Sequence, residues 1–354
     1  MIEPFVYQGS PARVIFGSGT KSHVAKEAER LGMERALVLS TPQQVEMAEE
    51  IAGLLGDASA GVYTRAAMHT PVEVTADAMA LVKDKAVDGV VSIGGGSTTG
   101  LGKAIAYRTD LPQLVIPTTY AGSEMTNILG QTEDGIKTTV RSPSILPETV
   151  IYDVDYTMGL PDWLSGISGI NAIAHAVEAL YAHDGNPVLS TMACEGIAAL
   201  HRSLPRIADD MTNREARTDA LYGAWLCGMC LGSSSIALHH KLCHVLGGSF
   251  DLPHAETHTA VLPHALAYNA PAVPTAMASL GLAMHTTTPA AALFDLAERM
   301  GAKTALKDLG MPADGIDRAV EITLKNPYWN PRELEAEGIR GIIQSAWSGT
   351  RPRV

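Results

Sequence analysis

The sequence predicts an α/β domain with a mostly parallel sheet over residues 1–158, followed by an all-helical domain over 159–354. Three observations predict it. Short β-rich runs alternate with helical patterns up to about residue 155, apolar residues recur at helical spacing in long segments beyond about 160, and the two regimes meet at "DYTMGLPDW", which Gly and Pro punctuate. Alternating strands and helices imply parallel pairing, because each new strand is reached by a helical crossover. A chain of 354 residues that is 46% apolar can bury a substantial core, enough for two domains.

In order, "RALVLS" (35–40) reads as a strand, "PQQVEMAEEIAGLLG" as a helix and "AGVYT" (60–64) as a strand. "PVEVTADAMALVKDKAV" then gives a helix, "GVVSIGG" (89–95) a strand, "TTGLGKAIAYR" a helix and "QLVIPTT" (113–119) a strand. Helical segments follow near 164–181, 187–209, 213–235, 237–247, 255–269 and 274–299. No internal repeat or low-complexity tract stands out.

Composition excludes several function classes. A formal charge of −12 argues against nucleic acid or an anionic membrane surface as the main partner. Cys194, Cys227, Cys230 and Cys243 form no disulfide framework, and the charged, turn-rich start resembles no signal peptide, so the cytoplasm is the expected compartment. Cys227 and Cys230 sit within an apolar helix and read as core packing. "ALYGAWLCGMCLGSSSIAL" suits a buried helix as well as a membrane span, and with no other convincing span a membrane role is not expected.

The chemistry concentrates in two places. In "VVSIGGGSTTGLGKAIAY" a buried strand runs into Gly94, Gly95 and Gly96, and a helix begins at Ser97 or Thr98. Glycines let backbone approach a ligand, and free N–H groups at a helix start attract phosphate oxygens, so a nucleotide pyrophosphate is expected on residues 94–98. The usual dinucleotide fingerprint is missing after the first long strand. Thr118, Thr119, Tyr120 and Ser123 follow the next strand and supply hydroxyls at the same sheet edge. Thr41, at the end of the first long strand, adds a neutral hydroxyl at the same edge. In the second domain, Asn171 and His175 stand four apart on one helical face, as do His240 and His244, and His254 follows a glycine-containing turn. Imidazoles so clustered suggest a Zn or Fe site needing one more anionic ligand, but Asn171 offers an amide where a carboxylate would be expected.

The order Gly-Gly-Gly-Ser, Pro-Thr-Thr…Gly-Ser-Glu-x-Thr, Asn-x-x-x-His, His-x-x-x-His and Pro-His resembles the iron-containing alcohol dehydrogenase superfamily over nearly the whole chain. That resemblance implies the dehydroquinate synthase-like two-domain fold with an active site in the interdomain cleft. It also matches the superfamily's metal ligands to Asn171, His175, His240 and His254, a histidine near the nicotinamide to His244, and a cofactor-contacting lysine to Lys137. "PTTYAGSEMT", "HHKLCHVLGG" and the lost aspartate further resemble the branch described as working without metal, which reduces the carbon–carbon double bond of maleylacetate to 3-oxoadipate with NADH or NADPH in bacterial breakdown of aromatic compounds. Homodimeric assembly and a small dicarboxylate substrate follow from the same resemblance.

The chemistry agrees with that implication. An ordinary carbonyl needs a Lewis acid to accept hydride, whereas a ketone conjugated to an alkene accepts it at the β carbon and gives an enolate that hydrogen-bond donors can hold. No catalytic metal is therefore expected. His244 is the leading candidate for proton delivery, with His254, His240 and His175 binding substrate oxygens and exchangeable with it in role, while Tyr120, Asn171 and Tyr328 complete the substrate contacts. Lys241, offset by one from His240, turns about 100° away on a helix and reads as an interface or supporting residue as readily as a substrate contact. Arg332 belongs to the same late segment as Tyr328, and Arg13 reads as structural. Three other readings stay open: a metal-dependent alcohol dehydrogenase of the same superfamily, a dehydroquinate synthase-like lyase, and a non-catalytic binding protein.

Overall fold

In a computed structural model of the chain, the described residues are 5, 7, 9, 12–133 and 136–354, without the side chains of 136 and 137. The chain divides into two compact units, Gly9–Leu160 and Pro161–Val354. In the first, strands β1 (Arg13–Gly17), β2 (Ala36–Leu39), β3 (Ser59–Tyr63), β4 (Gly89–Gly94), β5 (Gln113–Pro117) and β8 (Thr149–Asp153) form a six-stranded sheet in the order β1-β8-β5-β4-β2-β3. Every pair in it is parallel. Helices α1 (Val24–Arg30), α2 (Val45–Leu55), α3 (Val72–Asp84) and α4 (Gly96–Thr109) cross between strands. Strands β2, β4, β5 and β8 are buried throughout, as expected of strands covered on both faces. Separate apolar clusters form on the two faces, one around Val38, Ile51, Val91 and Ile116 and one around Leu37, Leu39, Val90 and Ile105.

Beyond the four strand runs given above, the structure has β1, β8 and the antiparallel pair β6 (Ile128–Glu133) and β7 (Ile136–Arg141). The β6 side chains are mostly half-buried, so they carry no apolar run to read.

The second unit is helical: α5 (Asp162–Ala179), α6 (Pro187–Asp209), α7 (Arg214–Ser233), α8 (Leu238–Phe250), α9 (His254–Asn269), α10 (Pro274–Met284), α11 (Pro289–Arg299), α12 (Gly315–Lys325) and α13 (Ala336–Ser348). The single helix expected over 274–299 is two helices. The chain leaves α10 through His285 in the left-handed region (φ 52°) and re-enters a helix at Pro289, whose fixed φ suits a first turn. Apolar periodicity runs through both pieces, which is why the break is silent in the pattern. Among the described residues no single helix is long and apolar enough to cross a membrane; α7 and α8 pass jointly by composition but meet at 92°.

Helix α5 packs against α6, α7 and α9 and is buried from Ser165 to Ala179. A helix buried all round carries apolar residues on every face, so its polar members need a reason to be there. Those members include Asn171, His175 and Glu178.

Candidate active site

The first unit builds a cradle at adjacent strand ends. Gly94 pairs with Pro117, and the Thr118 N–H donates to the Gly94 carbonyl (3.0 Å), so the turns after β4 and β5 stand side by side. Gly94 has φ 149°, and a Cβ there would lie 2.5 Å from Thr98 Oγ1 and 2.6 Å from Gln44 Oε1; only glycine fits. Gly95 caps α4, which starts at Gly96, so Gly96, Ser97 and Thr98 form its first turn, where helix N–H groups favour an anion. Thr119 faces Gly95, the Tyr120 side chain is fully buried, and the buried hydroxyls of Thr98 and Ser123 have no protein partner. Thr41 Oγ1 donates to Gln44 Oε1 (3.2 Å) and Gln44 Nε2 donates to Thr118 Oγ1 (2.8 Å), a bridge from the end of β2 to the end of β5. Gln44 was not singled out in the sequence. The Lys137 side chain lies outside the described residues.

The second unit gathers its histidines from α5, α8 and α9. Glu178, three residues after His175, is the organiser. Its Oε2 accepts from His240 Nδ1 (2.7 Å) and from the Ala237 N–H (2.8 Å), and its Oε1 accepts from the His239 N–H (2.8 Å). Burial raises this carboxyl, but His240, His239 and the Ala237 N–H outweigh it and hold the group below the usual range. The Glu178 carboxylate fixes the His240 tautomer with its proton on Nδ1, leaving Nε2 buried and without a partner. His239 Nε2 donates to the His258 carbonyl (3.1 Å), which leaves its Nδ1 likewise open, and both ring nitrogens of His258 are open. Burial, reinforced by neighbouring imidazoles, pushes His175 and His258 well below the usual imidazole range and His239 to about 4. These rings are neutral near pH 7 and present lone pairs.

One ligand atom from each of His239, His240 and His258 lies within 4.8 Å of the others. This overturns the expectation of a chain without a metal site. That expectation took the amide at Asn171 as the loss of the site, yet three imidazoles converge from two helices without it, with the Glu178 carboxylate behind His240. Buried open nitrogens of this type suit Zn or Fe, and three protein ligands with an open position is the pattern of catalytic sites. Of the four residues that the resemblance matched to metal ligands, only His240 belongs to this trio. His175 stands beside it (5.3 Å between its ring and that of His240), and the ring of the exposed His254 lies tilted against that of His258, 4.2 Å between centres. Asn171, one turn before His175, is buried with Oδ1 unpartnered. His258 and His239 were missed; the spacing of four in "HAETH" was a signal for the first, whereas His239 carries none in a helical-face reading.

His244 is half-buried on α8, one turn beyond His240 (6.2 Å between rings), with Nδ1 3.2 Å from the Tyr328 hydroxyl. Burial and the Glu178 charge raise the Tyr328 phenol, so it stays protonated. Arg332 turns elsewhere: its guanidinium stacks on Tyr268 and donates to that residue's carbonyl. Arg13 pairs with Glu27.

A parallel-sheet unit with a glycine cradle at its strand ends, followed by a helical unit built around buried histidines, defines a nucleotide-dependent oxidoreductase of the dehydroquinate synthase-like class. The chain belongs to the iron-containing alcohol dehydrogenase family: residues 11–154 match the model "Iron-containing alcohol dehydrogenase" and residues 166–347 the family's C-terminal model. It is 55% identical to maleylacetate reductase of Rhizobium sp. (strain MTP-10005), covering 99% of this chain and 100% of the relative, and 55% identical to that of Sphingobium indicum over 98% and 99%. The crystal structure of maleylacetate reductase from Agrobacterium tumefaciens superposes with a TM-score of 0.95 at 55% identity, covering 99% of this chain and 100% of that one.

Proposed function

We propose that this chain reduces the carbon–carbon double bond of maleylacetate to 3-oxoadipate with NADH or NADPH, and that His239, His240 and His258 hold a divalent cation. The observation that carries the reading is full-length identity above half with enzymes named for that substrate. Hydride from the nicotinamide goes to the alkene carbon β to the ketone, the electron pair moves onto the ketone oxygen as an enolate, and a proton then adds at the α carbon. A bound divalent cation would supply Lewis-acid polarisation of a substrate oxygen. The chain's own residues do the rest. The Gly94–Thr98 turn, with Thr41, Thr118, Thr119, Tyr120, Ser123 and Lys137, would bind the nucleotide, and Asn171, His175, His254 and Tyr120 would orient substrate oxygens. His244 would deliver the proton, its Nδ1 held by the Tyr328 hydroxyl. A homodimer in the cytoplasm belongs to the same proposal.

The test is turnover of maleylacetate by wild type and H244A. Losing a donor used in the transition state costs about 2.7–4 kcal/mol, roughly a hundredfold to a thousandfold in kcat, while nucleotide affinity stays unchanged. If H244A folds and retains kcat within about threefold, another group delivers the proton. No reduction of maleylacetate by wild type, metal-loaded or not, would overturn the substrate assignment.

A further inference from the structure

The two buried lysines among the described residues differ in what surrounds the ammonium group. Lys103 Nζ donates to the Ser123 carbonyl (2.6 Å), Thr126 Oγ1 (2.9 Å) and the Ile128 carbonyl (3.0 Å), using all three protons inside the protein. Lys241, 9% exposed on α8, has no oxygen partner among the described residues. Its Nζ lies 5.2 Å over the Tyr328 ring. An ammonium seated only on a ring face has its donors available to an anion. Lys241 also stands three residues before His244, so both side chains share one side of α8, and both meet Tyr328, one at the ring face and one at the hydroxyl.

We infer that Lys241 is the substrate's carboxylate anchor: its ammonium, seated on Tyr328 beside His244, receives one carboxylate of a small oxo-dicarboxylate and makes the site prefer it to uncharged enones or aldehydes. The inference rests on the proposed reduction of maleylacetate for the identity of the substrate, but the anion site follows from the unpartnered Nζ and its place on Tyr328 beside His244. Tyr328 then has two tasks. It carries the Lys241 stem and charge on its ring and holds His244 through its hydroxyl, so anion binding and the proton-delivering group are aligned by one side chain.

The experiment compares wild type, K241M and K241R for KM and kcat with maleylacetate, for NADH affinity, and for glutarate binding measured both as competitive inhibition and by calorimetry. The anchor predicts a KM raised at least about tenfold in K241M with kcat within about threefold, since an interaction equal in ground and transition states acts on KM. NADH affinity should be unchanged, glutarate binding lost, and both effects partly restored in K241R, which keeps the charge. A folded K241M with KM and glutarate affinity within about threefold of wild type overturns the inference. So does a loss of NADH affinity in step with substrate affinity, which marks a structural role. If wild type does not reduce maleylacetate yet binds glutarate through Lys241, the reading of the reaction falls and the carboxylate site stands.

Discussion

His240 owes its open nitrogen to Glu178, and that pairing orients one of the three nitrogens of the candidate cation site. Ligand binding to the folded state stabilises it by mass action, so adding Fe²⁺ or Zn²⁺ to chelated protein should raise the melting temperature. H258A removes one of three converging donors and should abolish that rise; an undiminished rise in H258A would mean that the cation binds elsewhere. Chelation should lower turnover of the wild type in parallel, and full activity after exhaustive chelation, with no change in melting, would count against a resident metal. On the nucleotide side, Thr41 lies two residues beyond β2 and hydrogen-bonds Gln44 instead of presenting a carboxylate. T41D should weaken NADPH by about tenfold or more while changing NADH little, because a fixed negative charge repels the 2′-phosphate and accepts from a 2′-hydroxyl. Equal loss of both nucleotides in steady-state kinetics would show that Thr41 does not face the ribose.

Helix α4 is the element that couples the two walls of the glycine cradle. Its first turn follows the Gly94–Gly95 bend, and on its second turn Lys103 reaches across to grip the segment from Ser123 to Ile128 that follows β5. Burial draws that ammonium down to about 7, with Glu124 opposing, and Glu124 is itself held by the Tyr152 hydroxyl (2.7 Å). Replacing Lys103 by Met removes this donor from three oxygens in a dry site; the Ser123 carbonyl keeps the Thr126 N–H and hydroxyl, and each oxygen left unsatisfied costs about 1–3 kcal/mol. Partial relaxation makes a total near 3 kcal/mol the expectation for K103M, read from urea unfolding, together with weaker nucleotide binding. A K103M protein of wild-type stability would show that the segment is held by its other contacts.

At the scale of the molecule, the alternation of β-rich and helical runs made the two-part plan readable, because burial of strands on both faces writes continuous apolar segments into the sequence. The β6–β7 pair wrote none, and the break before α11 was hidden by apolar residues on both sides. The glycine turn was legible because close backbone approach admits no other residue at Gly94. The convergence of imidazoles was less so, since spacing reads one face of one helix at a time. His239 and Lys241 flank His240 and are turned away from it by the helical wheel, yet one points its Nε2 at a carbonyl of α9 and the other lies on Tyr328. Gathering neutral histidines in a dry interior also sets how the whole fold responds to acid. His264, buried on α9 beyond the cluster, has Nε2 unpartnered and is pushed by burial to about 4, against an ordinary value of 6.5. With the folded value the lower one, the unfolded chain takes up protons first, so stability falls as pH drops from about 6.5 to about 4 and is fully present above that window. The slope is about 1.4 kcal/mol per pH unit for each such group, or roughly 3 kcal/mol in all from His264. Urea unfolding at pH 7.5, 6 and 5 should therefore show a steeper acid loss for wild type than for H264L, which has nothing to protonate at that site. Parallel slopes in the two proteins would mean that His264 accepts its proton within the fold at little cost.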